Sequence, residues 1–412
     1  MRAGIHQLAG EHVFAAPPIV YFLGEHVKVR TSAARLRPLM ILLAAGLAAT
    51  ACSHTPTVDP VAQDPDPLYA GQLLTSEMQD GLPDASQNLR ISYISTSHDG
   101  HDAVVYGRVA LPSIPPPPGG YPVISWGEGS TGVAPQCAPS LIDDASYDAY
   151  LNEWLKRGYA VLRTDYEGWG AAGPRPLLNQ KSNSNGIVDI VTAAHSISSE
   201  LSNDWIAIGH SEGGGAALWT AGLNDQVGGK YPLKGAIAIA PTGPGVLKFT
   251  NGVKNGEPIS QLVQMLLAWT VAGAQATDPT IEVQQVVTDP MMLQVDAAKA
   301  SCETSELPQL EAGQYFLSGE GYDKVVNFLR DQDPSSLAMK VPVSIIQGDR
   351  DETTVTPDTT EQMIQSLCGS NASIQYKLYP GENHGTVIDA SQNDAFSFAM
   401  AAFADTAPEN SC

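Results

Sequence analysis

The chain predicts an α/β fold: a mostly parallel, doubly wound sheet with helices on both faces and a helical insertion late in the sequence. Three observations carry that expectation. Short apolar runs alternate with helical stretches between residues 121 and 240, the pattern left by parallel strands and their crossover helices. The alternation stops at 241 and resumes with strands at 341–348 and 373–380, so the residues between must leave the sheet and return. Hydrophobic residues make up 43% of the 412 and charged residues 16%, which supplies a sizeable core and excludes a mostly disordered chain.

Taken in order, NLRISYIST (88–96) and DAVVYGRVAL (102–111) read as strands joined by the turn His98-Asp99-Gly100-His101-Asp102, an antiparallel start. The Pro-rich stretch 112–118 with Gly119-Gly120 is a loop, and YPVISW (121–126) a short buried strand. The spacing predicts a helix over 146–157, with Tyr147, Tyr150, Leu151, Trp154 and Leu155 on one face. YAVLRT (159–164) is a strand. A helix over 186–201 follows, with Ile187, Ile190, Val191, Ala194 and Ile197 inward, then a strand at 204–209, a small-residue helix at 212–223 and the strand KGAIAIA at 234–240. Within 241–340, QLVQMLLAWTVAGA (261–274) and YDKVVNFLRD (322–331) read as helices, so the insertion is expected to be a cap above the sheet edge. A helix near 390–403 closes the chain. The core is therefore expected in two parts, 68–240 and 341–412, with the cap 241–340 between them. Length alone would allow two or three domains. Gly (38) and Pro (30) are raised but without period, which excludes collagen-like and repeat architectures.

The N-terminus reads as a targeting segment. LMILLAAGLAATA (39–51) is apolar but shorter than the about 20 residues a bilayer span needs. Lys28, Arg30, Arg35 and Arg37 precede it, as in a secretory signal. The run ends Ala49-Thr50-Ala51-Cys52, which resembles a bacterial lipobox with Ala in place of the usual Leu, so lipidation at Cys52 is expected, with ordinary cleavage nearby as the alternative. Residues 1–27 do not fit a signal n-region; initiation at Val27 or Val29 through a GUG codon would explain them. Residues 53–67, SHTPTVDPVAQDPDP, read as an extended tether.

Formal net charge is −22, from 44 acidic and 22 basic residues. Residues 1–52 hold five of the basic and two of the acidic ones, so the remainder carries 17 against 42, or −25. There is no basic footprint for nucleic acid. Cys137, Cys302, Cys368 and Cys412 remain beside Cys52; none is in a CxxC pair and no Cys/His cluster has zinc spacing, so no metal or cofactor is expected. Export makes two disulfides the natural reading, and three pairings are open at this point.

Gly209-His210-Ser211-Glu212-Gly213 matches G-x-S-x-G, directly after a strand and before an Ala/Gly-rich helix. That context makes a nucleophile elbow: the flanking Gly leave room for a strained turn that lifts the Ser hydroxyl to a helix N-terminus. A Ser needs a base and an orienting acid, and the α/β-hydrolase fold supplies them in the order Ser, Asp, His. Asp351, in Gln347-Gly348-Asp349-Arg350-Asp351 after a buried strand, stands at the usual offset for the acid; Asp349 and Glu352 are its rivals. His384, in Pro380-Gly381-Glu382-Asn383-His384-Gly385, is the only His beyond residue 210 and so the base. His210 is expected to pack behind the site, and His195 to be structural. The oxyanion hole needs two backbone N–H donors: one from Glu212, the other from the Gly-rich loop 127–132, at Ser130 or Gly129.

Four motif regions together resemble the secretory lipase family, the α/β-hydrolases related to Candida antarctica lipase A: WGEGSTGVAPQCAPS (126–140), TDYEGWG (164–170), GHSEGGGAALW (209–219), and QGDRDETTVTP (347–357) with YPGENHG (379–385). The resemblance spans roughly residues 70–405. It implies the triad Ser211, Asp351 and His384, disulfides Cys137–Cys302 and Cys368–Cys412, and a cap between sheet and acid that shapes the acyl pocket. Leu262, Val263, Met265, Leu266, Leu267 and Trp269 are then candidate pocket or lid residues, most of them expected to pack inside the cap. The chain departs from the family at Glu128 and Glu212, where many bacterial members read His and Gln. Two carboxylates beside a developing oxyanion would repel it, so they must point away, be protonated or be paired; Glu212 is expected to pack away and lend only its N–H.

The function expected is a secreted or lipid-anchored lipase or esterase acting on a small-molecule or lipid ester through an acyl-enzyme. Acyl transfer by the same triad is the alternative. A peptidase on this fold would be supported by a propeller domain, of which the sequence shows no sign. A non-catalytic binding protein would be supported by inertness towards fluorophosphonate, and the intact triad in order argues against it. Any membrane contact would come through Cys52. Chain length, alcohol preference and oligomeric state are not legible.

Overall fold

Strands that must be covered on both faces need long apolar runs, and strands at a sheet edge do not; the sheet of this protein is built on that difference. A computed structural model describes residues 67–142, 145–223, 230–302, 307–353, 355–370, 372–406 and 408–412. The signal segment, Cys52 and tether residues 53–66 lie outside the described residues. Nine strands among the described residues form one sheet: β1 (Leu73–Met78), β2 (Ala85–Thr96), β3 (Asp102–Pro112), β4 (Tyr121–Gly127), β5 (Ala160–Thr164), β6 (Leu201–His210), β7 (Leu233–Ile239), β8 (Val343–Gly348) and β9 (Ile374–Tyr379). Their order is β1-β2-β3-β5-β4-β6-β7-β8-β9. The first three and β5 pair antiparallel; from β5 through β9 every pairing is parallel. The central strands β5 and β8 are buried at every residue, whereas β1, with its polar Thr75-Ser76-Glu77, is exposed along nearly its whole length.

Helices cover both faces. On one side α2 (Gln180–His195), α3 (Glu212–Leu223) and α9 (Pro357–Cys368) bury Ile187, Ile190, Ala217 and Leu367 against the sheet. On the other, α1 (Asp148–Lys156) and α11 (Gln392–Phe403) bury Tyr150, Trp154, Phe396 and Phe398. The five apolar residues expected on one face of α1 are all buried. The helix predicted over 186–201 instead runs from 180 to 195. Asn179 caps it, its side chain accepting from Ser182 N, and so starts it inside a Ser/Asn-rich stretch of low helix propensity. The helix predicted near 390–403 is split into α10 (Val387–Ala390) and α11.

Residues 241–340 supply α4 (Pro244–Lys254), α5 (Gln261–Thr277), α6 (Val283–Val286), α7 (Asp289–Ala300) and α8 (Glu320–Asp331). They share a separate apolar cluster that includes Val271, Met291, Val325 and Phe328, joined by Val133, Leu177 and Leu178 from the core. Cys137, in a short turn after β4, is bonded to Cys302 just past α7, and Cys368 at the end of α9 to Cys412. Closing loops of 165 and 44 residues, such links stabilise by ~3–5 kcal/mol each on a chain-entropy argument.

Candidate active site

The site sits where several parallel strands end. Register puts Gly127 of β4 beside Gly209 of β6, and Gly348 of β8 beside Tyr379 of β9. The loops leaving these four strands therefore meet above the C-terminal edge of the sheet, the usual place for a site in an open α/β sheet.

Ser211 is the single residue between β6 and α3, with φ 56° in the left-handed region that a side chain rarely adopts. The surroundings hold it there: its N–H donates to the Ile239 carbonyl (3.0 Å), and its own carbonyl accepts from Thr242 N (3.0 Å) and Gly215 N (3.1 Å). The flanking glycines are needed because backbone meets backbone. A Cβ on Gly209 would collide with the Gly213 carbonyl, and one on Gly213 with the Gly127 carbonyl. The elbow thus packs directly onto the end of β4, beside the loop that starts there.

Asp351 lies three residues past β8 and is buried. Its Oδ2 receives His384 Nδ1 at 2.6 Å and Gln347 Nε2 at 3.1 Å, and its Oδ1 receives Thr353 Oγ1 at 2.6 Å and Thr353 N at 3.1 Å. Burial pushes the Asp351 carboxyl up, but the bonds from His384 and Thr353 outweigh it and hold its pKa below the usual carboxylate range. The rivals do not hold the imidazole: Asp349 accepts from Gly381 N at 2.6 Å, and Glu352 is exposed. Ser211 and His384 line one cavity of about 200 Å³, together with Gly129 and Ser130. No hydrogen bond joins the Ser211 hydroxyl to the His384 ring among the described contacts. Such bonds commonly tighten only around substrate.

The two unexpected carboxylates are both buried and both paired. Glu212 Oε1 accepts from Arg175 Nη2 (2.7 Å), Leu178 N (2.8 Å) and Asn183 Nδ2 (2.9 Å), and Oε2 from the Ser130 hydroxyl (2.7 Å). Glu128 Oε1 accepts from Arg163 Nε (2.6 Å) and Oε2 from Trp126 Nε1 (2.9 Å). Neither carboxylate lines the cavity. The Glu212 N–H belongs to the first turn of α3, where a helix leaves its amides without an intrahelical acceptor. It stands next to Ser211 at the start of the helix.

The apolar part of the cavity wall comes largely from the cap. Leu262, Met265, Leu266 and Trp269 recur on one face of α5 at helical spacing. Four of the six line the cavity and Val263 lines an adjoining one. Leu267 and Trp269 are at the same time buried in the cap's apolar cluster, with Met265 and Leu266 packed against it, and Val263 is buried as well. Most of these residues do pack in the cap as expected, and only Leu262 is exposed. The adjoining cavity, about 640 Å³, shares Leu262, Thr353 and His384 with the first and is rimmed by Arg350, Glu352 and Asn383.

His210 is buried next to Ser211, touches Tyr147 and His384, and, contrary to the expectation that it packs behind the site, borders the same cavity. His195 stacks on Tyr231 at 3.9 Å between ring centroids and does not line the cavity that holds Ser211. Sequence reading missed Arg175, Asn183, Tyr147, Gln347 and Thr353 as partners of the site. For Thr353 a signal existed, since an Asp followed two residues on by Thr forms a side-chain turn; the others have no local signature.

These features define an α/β-hydrolase. Residues 144–391 match the Hydrolase_4 family, described as serine aminopeptidase, S33, and the chain belongs to that family. No curated protein sequence matches it. Among solved structures it is similar to Candida antarctica lipase A, with TM-score 0.69 and 18% identity over 84% of each chain. The same lipase in its closed state gives 0.69 and 17% over 84% of this chain and 85% of that one. A rice cell wall degrading esterase, LipA of Xanthomonas oryzae, gives 0.63 and 20% over 81% of this chain and 95% of that one. At these identities the likeness carries the fold and nothing finer.

Proposed function

We propose that the protein is a carboxylic-ester hydrolase, a lipase or esterase, that works through an acyl-enzyme on Ser211. The observation that carries this reading is the shared cavity: a strained Ser, a His whose Nδ1 is held by a buried Asp, and a Gly-rich loop meet in one space walled by Leu, Met and Trp side chains. In the first half-reaction Ser211 Oγ attacks the ester carbonyl carbon and His384 takes its proton. The carbonyl oxygen gathers charge between the Glu212 N–H and an N–H of Gly129 or Ser130. The C–O bond to the alcohol then breaks as His384 returns the proton to the leaving oxygen. Asp351 keeps the imidazolium oriented throughout. Water repeats the sequence to release the acid and restore Ser211.

The apolar cavity suits the acyl half. The alcohol must leave on the side of His384, toward the adjoining cavity with its polar rim. The family description raises an aminopeptidase as a second reading. Such an enzyme has to hold a substrate ammonium, and no carboxylate lines the cavity that holds Ser211. Acyl transfer to an alcohol shares the first half-reaction and differs only in the acceptor. Export is part of the proposal: two disulfides suit an oxidising compartment, and the basic-apolar segment ending at Cys52 suits a secreted or lipid-anchored protein.

A p-nitrophenyl ester series from acetate to palmitate, with aminoacyl p-nitroanilides alongside and Ser211→Ala as control, tests the reading. Ester turnover that vanishes in Ser211→Ala is expected. Anilide turnover without ester turnover would replace it with the peptidase.

A further inference from the structure

The base residue is held by a side chain that the reaction itself does not use. His210 precedes the proposed nucleophile, and its Nε2 lies 2.8 Å from the main-chain carbonyl of His384. Its Nδ1 lies 2.9 Å from the Tyr147 hydroxyl. A carbonyl can only accept, so Nε2 must carry the proton and Nδ1 must accept from Tyr147. A single neutral tautomer satisfies both contacts. The ring is fixed by packing as well: its centroid is 5.7 Å from that of Tyr147, and Tyr147 is 5.0 Å from Trp126. The oxyanion loop closes over the same pair, because a Cβ on Gly129 would collide with the Tyr147 hydroxyl and touch His210 Nδ1 at 3.5 Å.

We infer that His210, oriented by Tyr147, is a positioning residue for the general base. By gripping the carbonyl of His384 it sets where the base loop stands relative to Ser211, and so how far the imidazole must reach. The inference rests on the proposed roles of Ser211 and His384. It gives a physical reason for a His at a position where packing alone would accept many side chains. One peptide group separates His210 from Ser211, so elbow and base loop are joined by one hydrogen bond instead of by the fold at large. Neutrality is part of the device. Burial first, then the nearby His384, drives the His210 pKa down to about 3, with the His384 carbonyl and Asp351 opposing weakly. A charged ring would turn Nδ1 into a second donor facing the Tyr147 hydroxyl and would sit 4.5 Å, ring to ring, from the imidazolium that forms on His384.

The test compares His210→Phe with His210→Gln in the whole protein. Phe keeps a buried ring but offers no donor; the Gln amide can donate to the carbonyl from about the place of Nε2. Fluorophosphonate labelling of Ser211 and turnover of p-nitrophenyl butyrate are measured with melting temperature. His210→Phe is expected to lose roughly 10–100-fold in kcat, the scale of a small misplacement of a catalytic group. Because His210 and Tyr147 also border the cavity, some change in KM is expected, but the loss should fall mainly on kcat, and labelling should slow in parallel. His210→Gln is expected to recover most of the loss. Should His210→Phe fail to fold, Tyr147→Phe removes only the hydroxyl that selects the tautomer and is expected to lose about threefold to tenfold in kcat, from one neutral hydrogen bond. Labelling and turnover at the wild-type rate in His210→Phe, or in Tyr147→Phe where that is the variant used, would overturn the inference. So would equal losses in the Gln and Phe variants at an unchanged melting temperature. A wild-type protein that fluorophosphonate does not label would instead overturn the catalytic reading beneath it.

Discussion

Two buried carboxylates, Glu128 and Glu212, each pair with a buried arginine, and they do different things. Glu128 is bound by Trp126 and Arg163, and Arg163 also holds Asp148 at 2.7 Å. Trp126, Arg163 and Asp148 belong to β4, β5 and the start of α1, and none of them lines the cavity. Glu212 is bound by Arg175, Asn183, Leu178 N and Ser130. Two of these, Leu178 and Ser130, line the cavity. The same chemistry, a carboxylate with an arginine at under one-tenth exposure, is thus a brace for the fold in one place and a hub for the site in the other. A buried charge by itself does not mark function; what its partners touch does.

The comparison can be broken first by removing the charges. Glu212→Ala leaves the buried Arg175 without its carboxylate and is expected to cost about 3–5 kcal/mol of stability. Glu128→Ala leaves Arg163 still paired with Asp148 and is expected to cost less, both read by denaturant unfolding. They should part company in kcat of the folded protein: near wild type for Glu128→Ala, and lower by at least about tenfold for Glu212→Ala as the oxyanion loop loses its anchor. Equal kcat losses would mean that both pairs serve the site or neither does.

A contrast in pH sharpens it, because a third buried carboxylate has no cation at all. Asp189 accepts only from Ser95 Oγ (2.8 Å) and Thr96 N (3.3 Å), and burial pushes its pKa up to about 6. A raised carboxyl binds its proton more tightly folded than unfolded. Its effect is therefore a loss of stability as pH rises from about 4, the unfolded value, through about 6. Asp189→Asn removes that titration. Its stability relative to wild type should improve by about 1–3 kcal/mol between pH 4 and pH 8. A difference independent of pH would show that Asp189 is not ionising at a cost.

The smallest effect expected is at Ser130. Ser130→Ala deletes one bond to Glu212 and keeps the backbone N–H, so kcat should fall only about threefold to tenfold, a fraction of the about 1.5–3 kcal/mol that a hydrogen bond to a charged group is worth. A loss a hundred times larger would mean that the hydroxyl itself contacts the oxyanion.

How much of this was legible follows the range of the interactions. The elbow is local: strand, G-x-S-x-G and small-residue helix are contiguous, and α3 runs over the 212–223 that the sequence predicts. Asp351 and His384 each stand after a strand in their own short motif, and their pairing follows from chain order. Arg175 and Glu212 are 37 residues apart, Tyr147 and His210 are 63, and Ser130 and Glu212 are 82. Nothing in the composition around Arg175 or Tyr147 distinguishes them from surface or core residues, so only the fold brings these partners together. The edge strand β1 was missed for a related reason. LLTSEM is exposed on both faces and shows no alternation. The faces of α5 could not be assigned because the helix is apolar almost all round, and only the position of the sheet edge tells cavity wall from cap core.

The central claim is a covalent acyl intermediate on Ser211. Rapid mixing with p-nitrophenyl butyrate, followed by acid quench and mass analysis of the peptide that contains Ser211, tests it most directly. The account expects a burst of p-nitrophenol close to one equivalent, a butyryl group on Ser211, and neither in Ser211→Ala. Ester turnover with no acyl group on Ser211, or with the acyl group on another residue, would contradict it.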